Sequence, residues 1–313
     1  MKVTVLSVNE ETIRFSVDGV DNAFANALRR TMISEVPTMA IEDLFYYDNT
    51  SVVPDEVLAH RIGLVPLKTD LDHYRLPAEC DCKADLGCPK CRVTLSLSVK
   101  AEDDIRTVYS GDLQPVDPAI TPVNPYIPLA KLAPGQSISL EAYAQLGKGH
   151  HHTKWSPVAM AIYQNAAEIK TDAATAAKCA EESPKGVVLA KKDTVKVVDI
   201  QAFNRSPTCA SLLKEGSLKN HMKMDEFIFT VESTGALRPE QIVSEAVKIL
   251  NTKLEELKHK IDADELHEEI KDFEAPTEVG RRLYSIGSGE FEEEEEGEEG
   301  GVGAGSEPSY DEK

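Results

Sequence analysis

Apolar and polar residues alternate at the start of the chain. Val3 and Val5, then Ile13, Phe15 and Val17, sit at period two, with Asn9-Glu10-Glu11 between them. That spacing predicts two strands joined by a turn. The period then changes. In NAFANALRRTMISEV, Phe24, Ala27, Leu28, Thr31 and Met32 share one helical face, and Arg29 and Arg30 lie off it. Asp21 is placed to cap this helix and Pro37 to stop it. Strands follow at Met39–Tyr47, Val93–Val99, Ile138–Tyr143, Val158–Tyr163 and Met224–Glu232. Asp55–Arg61, after Pro54, predicts a short helix, residues 111–137 predict irregular Pro-rich chain, and GKGHHHTKWSPV predicts a flexible Gly-rich loop. The longest periodic segment is Gln241–Ile261, entered through a turn and Pro239. Its stripe of Ile242, Ala246, Ile249, Leu250, Leu254, Leu257 and Ile261 spans about six turns. Such a stripe packs on the protein's own sheet or meets a partner helix, and the pattern alone leaves both open.

Residues 166–220 differ in texture: an Ala-rich stretch, then partial alternation over Gly186–Ile200, then NRSPTCASLLKEG. They read as a small separate subdomain. After Ile261 the chain becomes acidic, and from about Ile286 it is low-complexity Gly/Glu sequence, which predicts disorder. From Glu290 to Lys313 eleven acidic residues face one lysine, so half of the net charge of −20 sits in that tail. A solubilising tail and a docking tail for a basic partner are its two readings. The acidic body excludes a strong, direct, sequence-independent grip on DNA, which needs a basic face. No apolar run approaches the ~18–20 residues of a membrane span, and the N-terminus lacks a signal-peptide core. The expected location is therefore cytoplasmic, with reduced thiols, where clustered cysteines mean metal rather than disulfides.

Four of the six cysteines fall in CDCKADLGCPKC. Cys80 and Cys82, two apart on extended chain, direct both sulfurs to one side, and Cys88-Pro-Lys-Cys91 is a tight turn that Gly87 loosens. Four thiolates fill the tetrahedral shell of zinc and leave no open position, so the metal expected at Cys80, Cys82, Cys88 and Cys91 is structural zinc. The other two cysteines sit in frames spaced like a ferredoxin cluster motif. Around Cys179 the frame reads Ala173, Ala176, Cys179, Ser183-Pro184, and a second frame is centred on Cys209. One thiolate per frame does not hold a four-iron cluster, so no iron–sulfur cluster is expected. His150-His151-His152 point in different directions as consecutive residues. No phosphate loop, nucleophile elbow or paired-carboxylate motif is present, and no catalytic residue is assigned.

Asp21–Asp43 (DNAFANALRRTMISEVPTMAIED), Asp55–Leu67 (DEVLAHRIGLVPL), Gly147–Val158 (GKGHHHTKWSPV) and Phe229–Val243 (FTVESTGALRPEQIV) together resemble the D-subunit family of archaeal RNA polymerase, counterpart of the third-largest subunit of eukaryotic polymerase II and of bacterial alpha. The likeness covers about Met1–Ile261 in matching order. It implies an α+β fold with a discontinuous dimerisation domain from residues 1–40 and 221–270. A mostly-β domain at 41–165 would be inserted, followed by a ferredoxin-like subdomain at 166–220 and an acidic extension at 271–313. It implies a non-catalytic scaffold that pairs with the smaller subunit L through the helices bearing Phe24, Leu28, Met32, Ile33, Ile242, Ala246, Ile249, Leu250, Leu254 and Leu257. Arg30 and Ile33 would dock the second-largest subunit, other small subunits would join, and polymerisation would use magnesium on other chains. The four-cysteine loop resembles the zinc loop of the eukaryotic counterpart. Family members carry iron–sulfur ligands in the ferredoxin-like domain, and here only the degenerate Cys179, Ser183 and Cys209 frame remains. Two other functions stand beside this one. Cysteine count argues against an iron–sulfur electron-transfer or redox-sensing protein, and the acidic body argues against a zinc-containing nucleic-acid-binding regulator.

Overall fold

The computed structural model describes residues 1–262 except 83, 85–86, 171–172, 184–186, 192–193, 198–201 and 204–221. The acidic extension from 271 and the frame at Cys209 lie outside the described residues. By density of contacts the chain divides into Met1–Glu256 and Leu257–Lys313.

A six-stranded sheet draws on both halves of the sequence. Strands β1 (Lys2–Val8), β2 (Thr12–Asp18) and β12 (Met222–Ser233) are antiparallel, and β9 (Val158–Lys170) joins β12 from Val158 onward. On one face, Ile13, Phe15 and Val17 of β2 meet Phe227, Phe229 and Val231 of β12. Phe15 and Phe229 are register partners and stack 5.0 Å apart. Helix α1 (Asn22–Ser34) adds Ala25, Leu28 and Met32 to this core. It starts where expected, because the Asp21 carboxylate accepts the Phe24 N–H at 2.8 Å. The edge strand β1 is blunted by a register shift between Val5 and Ser7, which disrupts the template for further strand pairing.

The far end of β9 pairs with β11 (Thr194–Val197), which pairs with β10 (Val188–Lys191). Helix α3 (Ala173–Glu182) packs on this hairpin, and Ile169, Cys179, Val187, Val195, Val197 and Phe203 form a small core of their own.

The second sheet runs β3-β8-β4-β6, from β3 (Thr38–Asn49), β8 (Ser137–Gly147), β4 (Arg92–Lys100) and β6 (Gln114–Pro115). One face buries Leu95, Leu97, Leu140, Ala142 and Ala144 against Leu58 and Ile62 of α2 (Asp55–Gly63). The stretch 111–137 departs from the expected irregular chain. It holds β6 and β7 (Pro128–Leu132), and β7 pairs with β5 (Arg106–Tyr109). Pro128 opens its strand, a position where a missing N–H is tolerated, and Leu129, Ala130 and Leu132 are buried.

Helix α4 (Pro239–Asp262) buries Ile242 and Ala246 in the core of the first sheet. Of the second unit, the described residues are the last turns of α4, where Leu257 and Ile261 are exposed. Among the described residues no helix is long and apolar enough to cross a membrane.

Candidate metal centre and assembly face

The four clustered cysteines converge. Their sulfurs lie within 4.8 Å of one another, and among the described residues they form the only such group of metal-ligating side chains. Cys80 and Cys88 are 3.7 Å apart, Cys82 and Cys91 3.9 Å, and Cys88 and Cys91 3.8 Å. Four sulfurs at about 2.3 Å from a zinc ion define a tetrahedron with edges of about 3.8 Å, so the donor set fits that ion.

Local backbone geometry produces this convergence. The N–H groups of Cys91 and Arg92 both donate to the Cys88 carbonyl at 2.9 Å, closing the Cys-Pro-Lys-Cys turn. The Cys88 N–H donates to the Cys91 sulfur at 3.1 Å. The Arg75 N–H donates to the Lys90 carbonyl at 3.0 Å and anchors the turn to the preceding chain. Gly87 enters with φ +74°, and a Cβ there would stand 3.1 Å from the Cys91 sulfur. The thiols differ. A Lys90 N–H brings Cys88 down to about 7, whereas burial pushes Cys91 up to about 12. Arg92, the first residue of β4, ties the loop to the sheet: its guanidinium pairs with Asp43 and lies 5.0 Å from the centre of the Tyr143 ring.

The three histidines do not form a site. The loop is held to the end of α1 rather than free. The His150 N–H donates to the Ser34 carbonyl at 3.0 Å, and a Cβ at Gly149 would collide with the Ile33 carbonyl. His152 turns away to accept the Lys154 N–H at 3.1 Å. Cys179 is buried on α3, and Ser183 follows the end of that helix.

The helical residues expected at an assembly face divide into two sets. Leu28, Met32, Ile242 and Ala246 are buried in the chain's own core. Phe24, Arg30, Leu254 and Leu257 are exposed, and Ile33, Ile249 and Leu250 are half-buried. Helical periodicity had not separated Ala25, which is buried, from Ala27, which is exposed. It had also passed over Val247, 50% exposed on the same side of α4 as Leu250 and Leu254. Glu35, the C-cap of α1, ties the two helices and the histidine loop together, with Lys253 of α4 at 3.1 Å and Lys148 at 3.8 Å.

The family model described as the RNA polymerase Rpb3/Rpb11 dimerisation domain matches residues 14–254. DNA-directed RNA polymerase subunit Rpo3 of Methanosphaera stadtmanae is 36% identical over 272 residues, covering 85% of this chain and all of the relative. Rpo3 of Methanosarcina acetivorans is 37% identical over 260 residues, covering 82% of this chain and 97% of the relative. Rpo3 of Aeropyrum pernix is 34% identical over 273 residues, covering 83% and 95%.

Proposed function

This chain belongs to the RNA polymerase Rpb3/Rpb11 dimerisation-domain family, and from that premise we propose how it joins its complex. It is a non-catalytic assembly subunit of DNA-directed RNA polymerase, a role carried by full-length likeness to Rpo3 subunits of archaea. The iron–sulfur alternative gains no support from these relatives.

The chain pairs with the smaller subunit L through α1 and α4. The observation that carries this is the apolar stripe of α4. Val247 and Leu254 stand exposed, with Leu250 half-buried between them, on a helix whose other side already fills the core. An uncovered apolar stripe on an otherwise acidic chain favours burial against another protein. Phe24, Ile33, Ile249 and Leu257 extend the proposed contact, while Leu28, Met32, Ile242 and Ala246 hold the two helices from beneath. Arg30, exposed on α1, and Ile33 dock the second-largest subunit, and other small subunits complete the platform. Residues 1–40 and 221–270 make the dimerisation domain, 41–165 the inserted domain and 166–220 the ferredoxin-like subdomain. The active site belongs to the other subunits. Cys80, Cys82, Cys88 and Cys91 would hold a zinc ion, which supplies a crosslink with no coordination position left for substrate. Their part is to fix the loop against β4. Co-expression with subunit L followed by sizing chromatography tests the assembly: a 1:1 complex is expected, and a chain that stays monomeric sinks the proposal.

A further inference from the structure

On the second sheet, the face turned away from the core carries an exposed aromatic cluster around one carboxylate. Phe45 and Tyr47 of β3 are 48% and 68% exposed. Phe45 is the register partner of Glu141 on β8 and meets the Tyr143 ring edge-on at 5.5 Å. Glu141 accepts the Tyr143 hydroxyl at 3.0 Å, and its carboxylate, close to Tyr47, holds that phenol above its ordinary value. Among the described residues Glu141 has no ion-pair partner, although the neighbouring acids Asp43 and Glu42 are paired with Arg92 and Lys154. The Tyr143 hydroxyl thus orients a carboxylate that has no ion-pair partner of its own among the described residues. Arg92 already lies over the Tyr143 ring at 5.0 Å, which leaves the exposed Phe45 and Tyr47 rings beside that carboxylate. Aromatic faces and a carboxylate attract cations and repel phosphate. Phe45 and Tyr47 are both exposed, within reach of a side chain presented on a protein segment.

We infer that Phe45, Tyr47, Glu141 and Tyr143 form a docking surface for a basic protein segment, an arginine or lysine side chain stacking on the exposed Phe45 and Tyr47 rings and pairing with Glu141, which Tyr143 orients. The surface is separate from α1 and α4. Only the source of the segment, another polymerase subunit, rests on the function proposed above.

The first test uses the full chain and a fluorescein-labelled peptide with arginine at alternate positions, compared with the same peptide carrying citrulline instead. The arginine peptide should bind about tenfold more tightly than the citrulline peptide, as expected for a cation–π contact joined to an ion pair. Tyr47→Ala and Glu141→Gln should each remove most of that difference, whereas Tyr126→Ala, at an exposed tyrosine outside the cluster, should keep it. Glu141→Gln preserves the side-chain shape and decides the matter if Tyr47→Ala fails to fold. Unchanged binding in Glu141→Gln overturns the surface. So does a single-stranded RNA oligonucleotide that binds the chain and is released by the same substitutions. The second test places p-benzoylphenylalanine at position 45 in the chain assembled with the other polymerase subunits. A crosslink to a segment bearing arginine or lysine is expected, and a crosslink to a segment with neither overturns the proposal. The peptide test needs no assembly, so a failed assembly bears on the proposed function alone.

Discussion

Lys253 of α4 lies 3.1 Å from Glu35 at the C-terminal cap of α1. An acid at a helix C-terminus is unfavourable against the helix dipole, and the lysine offsets it. The pair also sets the second helix against the end of the first. Being partly exposed, it contributes little energy. Lys253→Ala should lower stability by no more than about 1 kcal/mol in chemical denaturation. A larger loss would mean that the ion pair, and not the apolar core, holds the helices together.

The division of the α4 stripe into buried and exposed residues predicts two different failures. Leu254→Glu places a charge on the proposed interface and should abolish pairing with subunit L. It should leave the melting temperature of the isolated chain within a degree or two, because Leu254 is 63% exposed. Met32→Ala removes a side chain that is 0% exposed in the core. It should cost about 2–5 kcal/mol in the isolated chain. Sizing chromatography and thermal melts read the two effects separately. If Leu254→Glu still pairs, α4 is not the contact.

Zinc binding should depend on pH through the unequal thiols. Cys88, brought down to about 7, is already a thiolate above that pH, whereas Cys91, pushed up to about 12, surrenders its proton only to the metal. Proton release per zinc should therefore rise by about one as pH falls from about 8 to about 6, and affinity should fall. Calorimetric titration in buffers of different ionisation enthalpy measures the number. For the metal-free chain, the depressed Cys88 contributes stability that is present above its unfolded value and lost as pH falls through about 7. A proton count that does not change across this range would contradict the Cys88 environment.

Gly87→Ala should weaken the metal site. The left-handed backbone at φ +74° costs about 1–2 kcal/mol for a residue with a Cβ. The added carbon would also press on the Cys91 sulfur at 3.1 Å. Zinc competition should show weaker binding, while the dimerisation core, with no part in this turn, keeps its stability. Equal zinc affinity in the variant would mean the loop has another accessible conformation.

The cysteine cluster was legible because its ligands lie within twelve residues and tight turns fix where they point. The alternating strands of both sheets were legible for a similar reason, since period two survives whatever packs above it. Strand β7 was not, because five residues among prolines give too little pattern. The sharing of the α4 stripe between the chain's own core and open surface depends on where the helix meets the sheet. Periodicity carries no information on that. The cluster around Glu141 joins β3 and β8, which are far apart in sequence, and only the register between them brings Phe45 and Tyr143 together.

Glu226 supplies the last test. It is 4% exposed on β12, where its carboxylate pairs with Lys196 of β11 and with Lys223 at 3.4 Å. A buried carboxylate stripped of all its partners costs about 3–5 kcal/mol. Lys196→Met leaves Lys223 in place, so the loss should be smaller, about 2 kcal/mol. Glu226→Gln removes the charge along with the need for a partner and should cost less than Lys196→Met. The alkaline limb follows from Lys223, whose ammonium is raised above its usual value first by the Glu168 carboxylate it donates to, and also by Glu226. A raised lysine contributes stability that is complete below its unfolded value and is lost as pH rises through its folded one. Wild type should therefore lose stability above about pH 10.5. In Lys223→Met that alkaline loss should be smaller. Urea denaturation across pH 8 to 12 measures both. If Glu226→Gln proves more damaging than Lys196→Met, the carboxylate serves a hydrogen bond rather than a charge pair, and the electrostatic account of this junction fails.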